Sequence, residues 1–281
     1  MLIRITADSA CDLSPALREQ YNIGIISLPV TVGDRTGLDG IDILPDDLYR
    51  YVEESGSLPS TAAVNPMQYT EFFQQQLEDC DAVIHISLGS KISSSHQNAR
   101  LAAAEFSTVS VVDSDNLSTG YGHVVLYAAE LAQCGDLTPE EIVDKVRTII
   151  PKVSAGFVLG RLDYMKKGGR CSTVAALGAN LLKLKPSIAV KDGTMGVVKK
   201  YRGSLEKCLK DYVADQLNGR EDLVLDRIFI THSGVSPETV EMVRQEIQKY
   251  ANFKEITETR AGCTISAHCG PDCLGILFVT K

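Results

Sequence analysis

An acidic chain of 281 residues, with a formal net charge of −8, sets cations at three glycine-containing turns. Lys166, Lys167 and Arg170 flank Gly168-Gly169 in the stretch KKGGRCS. Arg202 precedes Gly203 in KKYRG, and His268 lies in AHCGP, before a glycine-proline pair. Such side chains donate hydrogen bonds to phosphate or carboxylate oxygens, and glycine lets the backbone approach closely. Their convergence would make a small-anion site; the other reading is exposed charge beside turns. Leu88–Gln97 (LGSKISSSHQ) adds Ser90, Ser93, Ser94 and Ser95 between a strand-like and a helix-like run. Hydroxyls and free N–H groups at a helix start can hold an anion without a formal charge, or simply cap the helix. Asp8-Ser9 and Asp113-Ser114-Asp115 also follow apolar runs and read as helix caps.

Other chemistries find less support. The sequence has neither G-x-G-x-x-G nor G-x-x-x-x-G-K-[ST], so the common phosphate-cradling loops are missing. A serine hydrolase using Ser93 with His96 or His268 would lack the G-x-S-x-G elbow. Cys263, His268, Cys269 and Cys273 crowd the end of the chain without the paired C-x-x-C spacing of a zinc site, so no metal is expected and the cysteines read as free thiols. The acidic balance argues against nucleic acid as a partner. No charged segment followed by an apolar one opens the chain, and no apolar run approaches the roughly 18 residues that span a bilayer. The expectation is a cytoplasmic protein with reduced thiols.

The elements that must position these residues alternate between strands and helices. Leu2–Thr6, Ile23–Val32, Ala82–Ser87 and Thr108–Val112 are strand-like. Leu48–Glu54, Gln68–Leu77, Ser94–Glu105 and Thr119–Gln133 read as helices, and Ser14-Pro15 fits a helix start. Pro139 opens a helix that Pro151 ends. Beyond it, Phe157–Leu159, Pro186–Val190, Asp226–Thr231 and Gly275–Val279 are strand-like, and Pro237–Tyr250 is helical. This alternation implies an α/β protein with mainly parallel sheets, and the length favours two domains, 1–155 and 156–281.

Taken together, the motifs resemble the DegV family, the fatty-acid-binding subunits of bacterial fatty acid kinase. The resemblance runs along the whole chain. It is carried by TADSACDL (Thr6–Leu13), LPSTAAVNP (Leu58–Pro66), ISSSHQNA (Ile92–Ala99), VVDSDNLSTGYG (Val111–Gly122), LDYMKKGGRCS (Leu162–Ser172), LKPSIAVKDG (Leu184–Gly193), KKYRG (Lys199–Gly203) and AHCGPDCLGILF (Ala267–Phe278). It implies two α/β domains with a lipid tunnel at and beside their junction. It further implies that the chain is no enzyme by itself and needs no cofactor. A long-chain fatty acid would be presented to a separate ATP-dependent kinase subunit, giving an acyl phosphate for an acyltransferase of phospholipid synthesis, with room for transient membrane contact. By matched position, Thr61 and Ser93, with the neighbouring Ser94 and Ser95, would bind the head group. Arg170, Arg202 and His268 would serve phosphoryl transfer or kinase contact. The chain departs from the family pattern at Ala62, Ala63, Val64 and Asn65, and at Ser94 and His96, so the head-group contacts need not follow the family's. A stand-alone hydrolase or transferase of a small anionic substrate is the alternative.

Overall fold

A computed structural model describes residues 1–175 and 184–281. The chain enters through β1 (Ile3–Asp8), a short 3-10 turn (Ser9–Cys11) and α1 (Pro15–Gln20), which Ser14 caps through Leu17 N. The single run expected at Ile23–Val32 is two strands, β2 (Gly24–Ile26) and β3 (Pro29–Val32), and these join different sheets. β3 pairs antiparallel with β4 (Arg35–Leu38) and, beyond α2 (Pro45–Ser55), with β5 (Ser60–Thr61). After α3 (Pro66–Leu77) come β6 (Ala82–Ser87), α4 (Ser95–Ala103) and β7 (Val109–Asp113). The order β2-β1-β6-β7 makes a wholly parallel sheet. β6 is buried on both faces, as the centre of such a sheet must be, so its sequence AVIHIS is nearly all apolar.

α5 (Ser118–Cys134) and α6 (Pro139–Ile149) lead to the second sheet. This sheet holds β8 (Val153–Val158), β9 (Leu184–Lys191), β10 (Thr194–Arg202), β11 (Leu223–His232), β12 (Glu255–Arg260) and β13 (Leu274–Thr280), in the order β10-β9-β8-β13-β11-β12. Between these strands lie α7 (Asp163–Gly168), α8 (Ser172–Ala175), α9 (Leu205–Leu217), α10 (Pro237–Tyr250) and α11 (Cys263–Cys269).

The α/β class is as expected, but strand direction in the second sheet corrects the expectation of mainly parallel sheets. Only β11 and β12, joined by the crossover helix α10, pair in parallel there. The Asp192-Gly193 turn, with φ of 49° and 72°, is a two-residue hairpin that forces β9 and β10 antiparallel. The last strand, β13, inserts antiparallel between β8 and β11. The expected division between residues 155 and 156 falls inside β8.

Two features position the site. α5 is apolar nearly all round because it lies between the sheets, against β1 and β6 on one side and β8, β11 and β13 on the other. Gly122 allows that closeness, since a Cβ there would lie 3.0 Å from Cys11 O. α11 belongs to the second half in sequence but packs on α2, β3, β5 and the Ser9–Cys11 turn of the first. Asp39 holds its start, accepting from Cys263 N (2.7 Å), Thr264 N (3.0 Å) and Thr264 Oγ1 (2.6 Å). Asp12 accepts from Gly262 N at 2.8 Å and lies 2.5 Å from Ser118 Oγ. Among the described residues, no helix is long and apolar enough to cross a membrane.

Candidate ligand-binding site

Between the two sheets lies a cavity of about 50 Å³ whose walls are mostly apolar, including Leu28, Leu88, Ile92, Leu117, Met165, Met195 and Ile265. Its polar side chains are Thr61, Ser93, Thr264, Arg170 and His268. Thr264 is committed to Asp39, which leaves two hydroxyls at the open end. A second cavity of about 20 Å³ continues inward, lined by Phe157, Thr231, Ser233 and Leu277, among others. Leu117, Ile265 and Cys269 line both and form the partition between them.

Thr61 comes from the short edge strand β5, registered against Val30 of β3. Its Oγ1 lies 2.9 Å from Nε2 of His268, from the facing helix α11. His268 Nδ1 is buried without a hydrogen-bond partner. Burial, and then the charge of Arg170, push this imidazole down to about 4, so it is neutral near pH 7. A buried N–H without an acceptor is rarer than a bare lone pair, so the proton belongs on Nε2. Nε2–H then donates to Thr61, which leaves the Thr61 hydroxyl its own proton to donate.

The glycine pair of KKGGRCS now has a physical reason. A Cβ at Gly168 would collide with Nδ1 of His268. Gly169, at φ 68°, occupies the left-handed region that ends α7. Lys167 Nζ donates to Leu58 O at 2.5 Å, tying this turn to the segment before β5. Arg170 Nη1 donates to Gly168 O at 2.6 Å, and the exposed side chain lines both the cavity and an outer cleft of about 990 Å³. Ile92 and Ser93 are also common to both spaces, and Lys91 and Arg100 add charge to the cleft.

The structure therefore brings together Thr61, Ser93, Arg170 and His268. Arg202, exposed at the end of β10 opposite Leu184, lines neither space. Ser94 faces the cleft, whereas Ser95 is buried and turns its hydroxyl to Ser93 Oγ at 2.9 Å. His96 Nδ1 lies 2.8 Å from Ser87 Oγ, so neither His96 nor His268 is bonded to Ser93. Asp8 caps nothing, having no side-chain bond to the turn that follows it. Asp113 organises its loop, accepting from Ser90 N and Asp115 N at 3.0 Å each. The thiol of Cys263 donates to Ile43 O at 3.0 Å, apart from Cys269 and Cys273, and among the described residues no group of three His, Cys, Asp or Glu side chains could hold a metal ion. Sequence reading missed the apolar walls Met165 and Met195, the partition residue Ile265, and Asp39. Of these, only Asp39 carried a signal, as a carboxylate inside a turn.

Over residues 2–281 the chain matches the sequence model described as an uncharacterised protein, DegV family. It is 30% identical over 281 residues to a DegV domain-containing protein of Caldanaerobacter subterraneus subsp. tengcongensis, with 99% of each chain covered. Its fold is similar to that of a fatty-acid-binding DegV family protein from Thermus thermophilus, with a TM-score of 0.90 and 27% identity over 100% of both chains. It is also similar to DegV of Bacillus subtilis, a fatty acid binding protein, with a TM-score of 0.83 and 26% identity over 100% of both chains.

Proposed function

Because the chain belongs to the DegV family, we propose that it binds a long-chain fatty acid and presents the carboxyl to a separate ATP-dependent kinase subunit. The observation that carries this reading is the meeting of Thr61 and Ser93 at the open end of an apolar, two-chambered space. A polar head group moved from water into such a place is tolerated only when hydrogen-bonded, and the two hydroxyls supply that bonding. The acyl chain would follow the seam past Leu117, Ile265 and Cys269 into the inner chamber. Each buried methylene adds about 0.8 kcal/mol, so the tail gives affinity and the head gives orientation. Ligand sites of ordinary size enclose roughly 300–1,000 Å³, so the partition side chains must separate to admit a long chain.

The outer cleft supports the second half of the reading. Its cations Lys91, Arg100 and Arg170 meet the cavity at Ser93, where a phosphoryl donor brought by the kinase could approach the head group. Arg170 would offset the charge of the acyl phosphate, which an acyltransferase would then consume. Arg202, away from the cavity, is better suited to touching the kinase than the lipid. The hydrolase alternative loses ground because His96 is bonded to Ser87 and His268 to Thr61, so neither is hydrogen-bonded to Ser93 to accept its proton.

The test is mass spectrometry of organic extracts from purified, unsupplemented protein, with native mass spectrometry for stoichiometry. One fatty acid per chain is expected. Protein that carries no lipid and takes up none when offered would overturn the reading.

A further inference from the structure

The seam between α5 and the second sheet runs on beyond the inner chamber, and one layer of side chains interrupts it. Alternate residues of each strand face α5. Leu277 and Val279 of β13 belong to the core on that side, whereas Leu274, Ile276 and Phe278 belong to the core on the other face. Strand register sorts the residues facing α5 into levels. Gly275 stands level with Phe157 of β8 and Thr231 of β11, and all three line the inner chamber. Leu277 stands level with Ala155 and Phe229. Val279, one level further, lines a rear cleft of about 490 Å³ together with Tyr127, Glu130 and Arg227. Successive levels are roughly 7 Å apart, twice the rise per residue of a strand.

At the middle level α5 contributes His123. Its Nε2 lies 2.9 Å from Leu277 O, and its ring stands edge-on to Phe229 with centroids 4.8 Å apart. Leu277 lines the inner chamber, while the buried His123 lines the rear cleft. The two spaces are therefore separated at the contact between these two residues. Beside it, helix and sheet touch without any side chain to spare, since a Cβ at Gly120 would lie 3.0 Å from Ala155 Cβ. A carbonyl only accepts, so the ring proton is on Nε2 and donates to Leu277 O. Burial pushes this imidazole down to about 4, so near pH 7 it closes the seam without setting a charge against hydrocarbon.

Taking the fatty-acid reading as given, we propose that His123 is the end-stop of the acyl tunnel and sets the longest chain that can be seated. With the carboxyl held at Thr61 and Ser93, the tail passes Ile265 and enters the inner chamber until its methyl end meets the layer of Leu277, Phe229 and His123. Each methylene seated on the way strengthens binding about fourfold. A longer chain has no place for its last carbons: it must buckle or draw its head group off the two hydroxyls. The stop is firm because His123 is tied to the backbone of β13, which is paired on both sides, with β8 and β11. The imidazole is also the one polar group in this layer, so removing it joins the chamber to the rear cleft without disturbing the head-group site.

The experiment offers the protein an equimolar series of straight-chain saturated fatty acids, from octanoic to behenic, and reads the bound species by native mass spectrometry. The wild type should show a sharp upper limit of length. In His123→Ala, occupancy by the acid two carbons beyond that limit, relative to the acid at the limit, should rise about tenfold or more, because two further methylenes are seated. His123→Phe refills the layer without the hydrogen bond and should keep the wild-type limit; a shift equal to that of His123→Ala would show that the lost bond, and not the opened layer, is responsible, and would overturn the proposal. Leu277→Ala opens the same layer from the sheet and gives the readout if loss of the imidazole prevents folding. An unchanged limit in a folded variant with the layer opened, or a wild type without any limit in the series, would overturn the proposal while leaving fatty acid binding intact. A wild type that takes up no member of the series would instead overturn the reading on which it rests.

Discussion

The two glycines of the KKGGRCS turn look alike in sequence and predict opposite outcomes when replaced by alanine. Gly168 ends α7 and is not among the residues at positive φ, so alanine suits its backbone and gains about 1 kcal/mol in helix propensity. Its new Cβ, however, would overlap His268 Nδ1 and push the ring off Thr61. One hydrogen bond contributes about 1 kcal/mol, so affinity for a fatty acid should weaken roughly fivefold to tenfold while the melting temperature hardly moves. Gly169 has open space around its would-be Cβ but sits at φ 68°. Alanine there carries about 1 kcal/mol of backbone strain, which lowers the melting temperature by roughly 2–4 °C, with affinity unchanged. Displacement of a fluorescent fatty acid analogue and thermal denaturation, run on both variants, read the crossed pattern. Wild-type affinity in Gly168→Ala, or an equal loss in Gly169→Ala, would refute the claim that the glycine makes room for the imidazole that orients Thr61.

The remaining expectations concern ligand, partner and pH. Thr61→Ala and Ser93→Ala should each weaken acyl binding by about 1 kcal/mol, measured by the same displacement assay; unchanged affinity in both removes them from the head-group site. Ile265→Trp, at the partition between the chambers, should abolish uptake of oleate and spare that of a short acid such as hexanoate; normal oleate binding would mean that the chain takes another path. Arg202→Ala should leave lipid affinity intact and lower phosphorylation in a reaction with the kinase; full phosphorylation would dismiss its role. Burial raises the Asp12 carboxyl from 3.8 to about 8. The folded protein therefore holds a proton that the unfolded chain has released, and this contribution is lost as pH rises toward 8. His268 and His123, both lowered to about 4, act in the opposite sense only below about 6.5. Between pH 6.5 and 8, urea denaturation should show stability falling by up to about 1.4 kcal/mol per pH unit, and Asp12→Asn should flatten that slope. An unchanged slope in the variant would reject the assignment.

Sequence captured what local chemistry dictates. Pro-led helices begin where Ser14, Thr138 and Ser236 cap them, and α10 spans Pro237–Tyr250 as its periodicity requires. The serines after β6 and the cations of the glycine turns read as one small-anion site, and three of them, Ser93, Arg170 and His268, line one cavity. What escaped was pairing over distance. His85 sat unremarked within AVIHIS because periodicity reports faces and not partners, and its partner Thr6 lies on the neighbouring strand. Asp8 read as a cap because the groups that claim it, Tyr69 and Leu88 N, come from other elements. The second sheet read as parallel because apolar strands carry no label of direction, although Asp192-Gly193 held the hairpin signal. Arg202 joined the other cations because it too stands beside a glycine and matches a basic position of the family, and the fold keeps it outside the cavity.

The docking of α11 on the first half also sets the order in which the protein becomes competent during synthesis. Thr61 is made early, but the histidine that orients it is 207 residues further on. The parallel sheet can form while the chain is still growing, yet Asp12 and Asp39 wait for the backbone of residues 262–264, made 224 to 250 residues later. A chain made only as far as residue 261 thus holds both hydroxyls, Thr61 and Ser93, and nothing to aim the first.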